Sequence, residues 1–261
     1  MRIFKDGVTV GAYPALFLPT YRTLVISDLH IGFESSLSQK GVFLPQNSYA
    51  AMRHRIEELL GTTGSKRLVI LGDLKHEFGK PSPQEWVEVK DLLETLGSMG
   101  VETHVVRGNH DNYVIAILSR YGVHLHESYM MIDHILLMHG HSEIELPEGT
   151  KVIVIGHEHP AVSSLDSSGA RYKFKCFLVG KYRGKRLVVL PAFSPLSAGS
   201  GINEIDREGL LSPYLRESDI DKFVPLAVED GIGIFRFPPI GLMRRIRKCD
   251  EMGDQVKGGH K

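Results

Sequence analysis

Five stretches of this 261-residue chain place metal-binding side chains at the end of an apolar run. Asp28 and His30 follow Leu24-Val25-Ile26, and Asp73 closes RLVILGD (67–73). Asn109, His110 and Asp111 follow the run 101–106. His139 and His141 end MMIDHILLMHGH (130–141), and His157, Glu158 and His159 end KVIVIGHEH (151–159). A carboxylate and an imidazole two residues apart, as in Asp28 and His30, leave a strand end toward the same side. One such pair says little, but five in series, with glycines beside them, point to a built site. Carboxylate, amide oxygen and neutral imidazole suit a borderline or fairly hard divalent ion such as manganese, iron or zinc. No thiolate stands among them, which argues against a structural zinc site. Seven or eight donors are too many for one tetrahedral ion. Two ions sharing a carboxylate would use them all, and such a pair clamps the attacking and leaving oxygens of phosphoryl transfer. The neighbouring glycines would let the backbone approach closely.

Convergence of those stretches requires strands that end on one edge. Short strands are predicted near Val8–Val10 and Ala15–Leu18, ahead of the strand that ends at Asp28. A helix is expected from Pro45 to Leu60, stopped at Gly61. Ser82-Pro83-Gln84-Glu85 reads as a capping box with proline at the first helical position. The helix it starts should bury Trp86, Val89, Leu92, Leu93 and Leu96 on one side. The first half thus alternates strand and helix, as a parallel α/β unit does. After a helix at Val114–Leu118 the pattern turns to strands at 130–140, 151–159, 171–179 and 185–191, a mostly antiparallel half. In an open α/β fold the carboxyl ends of the strands are where ligands bind. We expect a single domain over 1–240, with two sheets face to face and helices outside, and a basic, flexible tail over 241–261.

Composition bounds the rest. Lys+Arg and Asp+Glu are 31 each, so no overall basic field advertises nucleic acid and a local patch would have to do that work. The two cysteines, Cys176 and Cys249, form no CxxC and suggest reduced thiols in a cytoplasm. The opening MRIFKDGVTVGAYP lacks the form of a signal peptide, and no apolar run approaches membrane-spanning length.

In order, DLH, GDLKH, GNHD, HGH and GHEH resemble the calcineurin-like metallophosphoesterase superfamily. GAYPALFLPTYRTLVISDLHIGFE and FLVGKYRGKRLVVLPAFSPLSAG are similar to its ICC-like branch, related to the SbcD repair nucleases. The resemblance implies a four-layer α/β/β/α sandwich of two mixed sheets flanked by helices. It implies two divalent ions, manganese first, with iron, zinc or nickel as alternatives. Asp28, His30, Asp73 and His159 would hold one ion. Asp73, Asn109, His139 and His157 would hold the other, with Asp73 bridging and a metal-activated hydroxide attacking phosphorus. His110 would protonate the leaving oxygen or steady the phosphoryl charge. His76, at the place of the histidine in the GDLFH motif of SbcD-like nucleases, would lie against the substrate phosphate. Either histidine of HGH could be the ligand, and the family pattern favours His139 over His141.

One departure bears on substrate. Calcineurin-type protein phosphatases carry GDxxDR, whose aspartate orients the catalytic histidine and whose arginine grips phosphate. Here Lys75-His76-Glu77 lacks both, which counts against a phosphoprotein substrate. The hairpin 171–186 carries Arg171, Lys173, Lys175, Lys181, Arg183, Lys185 and Arg186 with no acid. It reads either as a solvated basic face or as a strip contacting DNA or RNA backbone, which Arg244, Arg245, Arg247 and Lys248 could extend. The turn-rich loop Pro191–Pro195 has no evident chemical part beyond closing the second sheet. The expected function is a dinuclear-metal phosphodiesterase acting on nucleic acid or nucleotide-type substrates. A general phosphatase, a cyclic-nucleotide diesterase and a non-catalytic module of a repair complex are the alternatives.

Overall fold

In the computed structural model the described residues are 1–42, 47–166 and 168–247. The first sheet runs, in spatial as in chain order, through β1 (Arg2–Phe4), β2 (Gly7–Thr9), β3 (Leu16–Leu18), β4 (Thr23–Ile26), β5 (Arg67–Leu71), β6 (Glu102–Val106) and β7 (His124–His126). Its first four strands pair antiparallel, and β4 to β7 are parallel. The second sheet holds β8 (Tyr129–Ile132), β9 (Ile135–Met138), β10 (Val152–Ile155), β11 (Pro160–Leu165), β12 (Arg171–Tyr182), β13 (Lys185–Val189), β14 (Ser200–Gly201), β15 (Val224–Glu229) and β16 (Gly233–Arg236). Antiparallel pairs prevail there, as expected, but the centre does not follow the expectation: β10 lies parallel to both β9 and β13. That exception sets Met138, Ile155 and Val189 level at one edge.

Strand alternation builds the layers. Leu24, Ile26, Leu68 and Ile70 face outward, where they meet α2 (Ser48–Thr63), α3 (Pro83–Ser98) and α4 (Ile115–Arg120). Val25, Val69 and Leu71 face inward against Val152, Val154 and Val188 of the other sheet. Ile153, Ile155, Leu187 and Val189 form the opposite outer face, covered by Tyr214 and Leu215 of α5 (Pro213–Arg216) and by Ile240 and Met243. The result is two mixed sheets packed face to face with helices outside.

Several boundaries differ from the sequence reading. A short α1 (Phe33–Gln39) follows the first site segment. Helix α2 begins at Ser48 and runs past Gly61 to a left-handed Gly64; Pro45 lies outside the described residues. The capping box forms as expected, with Ser82 accepting from Glu85. The helix phase places Glu85 rather than Trp86 inward, so the indole is 39% exposed and the carboxylate fully buried. The run 130–140 splits at Asp133, whose φ of +52° makes a tight hairpin between β8 and β9. The expected tail does not start at 241: residues 240–247 are helical, held by the burial of Ile240 and Met243. Lys248, Cys249 and the rest of the tail lie outside the described residues. Among the described residues no helix is long and apolar enough to cross a membrane.

Candidate metal centre

Each site segment begins where a parallel strand ends, and hydrogen bonds between the segments continue the pairing. Asp28 N–H donates to Gly72 (3.1 Å), His30 N–H to Asp73 (2.9 Å) and Gly156 N–H to His139 (3.0 Å). Five of the predicted ligands then turn sharply: Asp28, His30, Asp73, His157 and His159 have φ between +47° and +63°. Non-glycine residues seldom adopt that region, and such strain gathers at functional sites. Two glycines make room for the crossing side chains. A Cβ on Gly72 would lie 2.4 Å from His139 Nδ1, and one on Gly156 would lie 2.7 Å from Asp28 Oδ2.

Two donor groups result. Asp28, His30, Asp73 and His159 form one, and Asp73, His139 and His157 the other, with ligand atoms of each within 4.8 Å of one another. Asp73 belongs to both. In the first group His159 Nε2 is 3.1 Å from Asp28 Oδ1, and His30 Nε2 is 3.3 Å from His159 Nε2 and 3.8 Å from Asp73 Oδ2. In the second, His139 Nδ1–H donates to the Leu71 carbonyl at 2.7 Å. That bond turns Nε2 toward Asp73 Oδ2 (3.4 Å) and Asn109 Oδ1 (3.0 Å). His141 is exposed and belongs to neither group; its ring is 5.2 Å from that of His139.

The electrostatics suit cations. Asp28 and Asp73 are buried, and among the described residues their ion-pair partners are imidazoles, without lysine or arginine. Burial opposes both charges, but the surrounding histidines prevail and hold both carboxyls below the usual range. Burial pushes His30 and His157 down to about 3, so both present neutral nitrogen lone pairs. His139 goes the other way: against its burial, Asp73 and Asp28 lift it to about 9. The carboxylates that favour a proton on His139 would attract a cation at the same place. Buried carboxylates, neutral imidazoles and an amide oxygen fit a pair of divalent ions.

His110 and His76 border the first group. Nitrogen atoms of His30, His76 and His110 also lie within 4.8 Å of one another. His110 Nδ1–H donates to the carbonyl of His76, which leaves Nε2 facing Asp73 Oδ2 at 3.9 Å. Phe33 stacks on His76 with centroids 4.2 Å apart.

Two further acids and one loop support the ligands, in roles that the sequence reading did not assign to them. Asp111, 2% exposed, accepts from Leu74 N–H (2.9 Å) and Gly108 N–H (2.8 Å), tying two site turns together. Glu158 points away from the ligands and accepts from Leu211 and Ser212 N–H at 2.9 and 2.8 Å. The loop after β13 backs the first turn, with Phe193 N–H donating to Ser27 (2.8 Å) and Ser194 N–H to Asp28 (3.1 Å). An acid within two residues of a ligand was the available signal for Asp111 and Glu158.

The basic hairpin is divided. Lys175 Nζ, at the site end, donates to the Ala192 and Ser194 carbonyls, and Lys173 Nζ to Gly199. Lys181, Arg183, Lys185 and Arg186 stand at the opposite edge, around a turn in which Arg183 and Gly184 both have positive φ. There Lys185 donates to Thr150, Arg186 to Ile3 and Arg183 to Glu217. The basic side chains of the hairpin therefore do not all lie beside the ligands, because β13 runs its basic N-terminus away from the ligand-bearing ends.

Residues 21–190 match the family described as calcineurin-like phosphoesterase. Among solved structures the chain is similar to the nuclease MPE of Pseudomonas putida, at 20% identity and a TM-score of 0.62, over 87% of this chain and 92% of that one. It also aligns with Yfce, a phosphoesterase from E. coli, at 20% identity and a TM-score of 0.40, over 83% and 98%. No curated protein matches it. The chain belongs to the calcineurin-like phosphoesterase family and is a metal-dependent phosphoesterase.

Proposed function

We propose that the protein is a two-metal phosphodiesterase acting on nucleic acid or nucleotide-type diesters. The observation that carries this reading is Asp73, buried and shared by two donor groups. Asp28, His30, Asp73 and His159 would hold one ion, and Asp73, Asn109, His139 and His157 the other. Manganese is our first choice, with iron, zinc or nickel as alternatives. When bound, such a pair supplies Lewis acidity toward the phosphoryl oxygens and lowers the pKa of an attacking water.

The remaining steps fall to this chain's own residues. His110, with its Nδ1 proton on the His76 carbonyl, presents Nε2 to the site and gives the leaving oxygen its proton from there. His76 lies beside His30 and His110 and steadies the phosphate oxygens. The absence of a GDxxDR acid and arginine favours a diester over a phosphoprotein, and the similar chain named a nuclease supports the same class. Lys173 stands at the site's side of the basic hairpin. Lys175 braces the loop behind Asp28. Lys181, Arg183, Lys185 and Arg186 would touch only a strand that continues to the far edge of the sheet. Cys176, a buried free thiol, suits a reducing compartment, and we place the protein in the cytoplasm.

The test is manganese-dependent cleavage of end-labelled single- and double-stranded DNA, beside bis(p-nitrophenyl) phosphate and p-nitrophenyl phosphate, with Asp73→Asn as blank. Cleavage of DNA and diester by the wild type, absent from the variant, is the expected result. Faster turnover of the monoester than of the diester, with DNA intact, would overturn the diesterase reading.

A further inference from the structure

Among the described residues no carboxylate stands behind the His110 imidazole; its Nδ1 partner is the backbone carbonyl of His76. A carbonyl in a loop orients a ring only as well as the loop is held. The side chain that holds this one is Lys75, which is fully buried although lysine is among the residues least often found so. Its Nζ donates to the carbonyls of His110 (2.7 Å), Gly79 (3.1 Å) and Glu77. Three carbonyls use the three donors of an ammonium group. They gather the far end of the 75–79 loop, its middle and His110 itself onto one atom.

Other contacts close the same loop. Glu85 Oε1 accepts from His76 N–H (3.1 Å) and Glu77 N–H (2.8 Å), while Oε2 accepts from Ser82 N–H (2.7 Å) at the start of α3. Phe78, 57% exposed, lies over the His110 ring with centroids 3.7 Å apart. Asn112 Nδ2 donates to the Phe78 carbonyl at 3.1 Å. An apolar side chain of similar length would fill the Lys75 site without desolvating a charge. What it would not do is fix the His110 backbone and the 75–79 loop relative to one another.

We propose that Lys75 is a positioning residue, pinning the 75–79 loop so that the His76 carbonyl and the Phe78 ring hold His110 with Nε2 toward Asp73. This inference rests on His110 being the proton donor of the proposed reaction. It assigns to a buried ammonium and a carbonyl the orienting work that a carboxylate does where GDxxDR is present.

The experiment is a double-mutant cycle on the full chain with manganese and bis(p-nitrophenyl) phosphate, reading kcat, KM and manganese affinity by calorimetry. Lys75→Met is expected to lower kcat by about 10- to 100-fold, since displacement of a catalytic group by an ångström costs on that order. Metal stoichiometry and affinity should stay at the wild-type values. In a His110→Ala background the same substitution should change kcat by less than about twofold, because residues acting as one unit are non-additive. Should Lys75→Met fail to fold, Phe78→Leu carries the cycle, because Phe78 is exposed and touches the same ring. Its smaller loss should likewise vanish without His110. An equal loss in both backgrounds, or loss of metal from Lys75→Met, would overturn the positioning role alone. A His110→Ala enzyme as fast as wild type would overturn the proton-donor reading and this inference with it.

Discussion

Gly72→Ala tests whether the metal groups depend on close passage of backbone past ligand. Gly72 has φ +77°, and an added Cβ would lie 2.4 Å from His139 Nδ1 and 2.7 Å from Gly108 Cα. Ordinary contact begins near 3.4 Å, so the imidazole must retreat by about 1 Å while a backbone on the other side also gives way. Neither neighbour is the free end of a flexible chain. The retreat would stretch or break the 2.7 Å bond from His139 Nδ1 to Leu71, which aims Nε2 at Asp73 and Asn109. Loss of such an orienting bond costs about 10- to 100-fold in metal affinity. Misplacement by about 1 Å costs on the order of 100-fold in rate, or about 2.7 kcal/mol of barrier. The left-handed backbone adds about 1–2 kcal/mol of strain for alanine. Calorimetric manganese titration, kcat on bis(p-nitrophenyl) phosphate at saturating metal and a thermal melt read the three effects. Gly61→Ala, inside α2 with nothing within 4 Å of the new Cβ, is the control and should stabilise by about 0.5–1 kcal/mol. Wild-type metal affinity and kcat in Gly72→Ala would refute the account of how His139 is aimed.

Further substitutions separate ligand from proton donor and fold from site. Asp73→Asn should abolish activity and bind less manganese than wild type by calorimetry, because both donor groups lose their common carboxylate. His110→Ala should keep its metal and lose about 10²–10⁴-fold in kcat; loss of metal would place His110 among the ligands instead. Chelation should abolish turnover and lower the melting temperature, and added manganese should restore both, since a ligand of the native state stabilises it by mass action. Burial pushes Lys175 down to about 8, against 10.5 unfolded, so the unfolded chain binds more protons between those values. Stability should therefore rise with pH from about 8 to 10.5, by about 3 kcal/mol from this group at 1.36 kcal/mol per pKa unit. The difference in denaturant stability between wild type and Lys175→Met isolates that rise, and a flat difference would refute it.

The five site segments were legible because each one announces itself locally. An apolar run of four to six residues followed by Gly and a ligand-type side chain is visible without any tertiary contact, as in RLVILGD and KVIVIGHEH. The capping box at Ser82 is equally local. That β5 and β10 are buried on both faces is written in their unbroken apolar runs, although the sequence alone does not say which face meets helices and which meets the other sheet.

Other features depend on partners far along the chain. That β10 lies between β9 and β13 in parallel follows from which inward faces pack together, and single strands do not encode their neighbours. Trp86 lies outward rather than inward because Glu85 reaches the 76–77 amides, nine and eight residues back, and so sets the phase of α3. The basic residues of the hairpin are close in sequence, yet its two ends sit on opposite edges of a sheet. The family pattern favours His139 over His141; in the fold the Leu71 carbonyl, 68 residues upstream, fixes the ring of His139 and turns Nε2 into the site. The sequence therefore determined the inventory of donors and the strands that carry them. The tertiary structure decided which donors share a centre, because burial, strand order and long-range hydrogen bonds set the direction in which each side chain points.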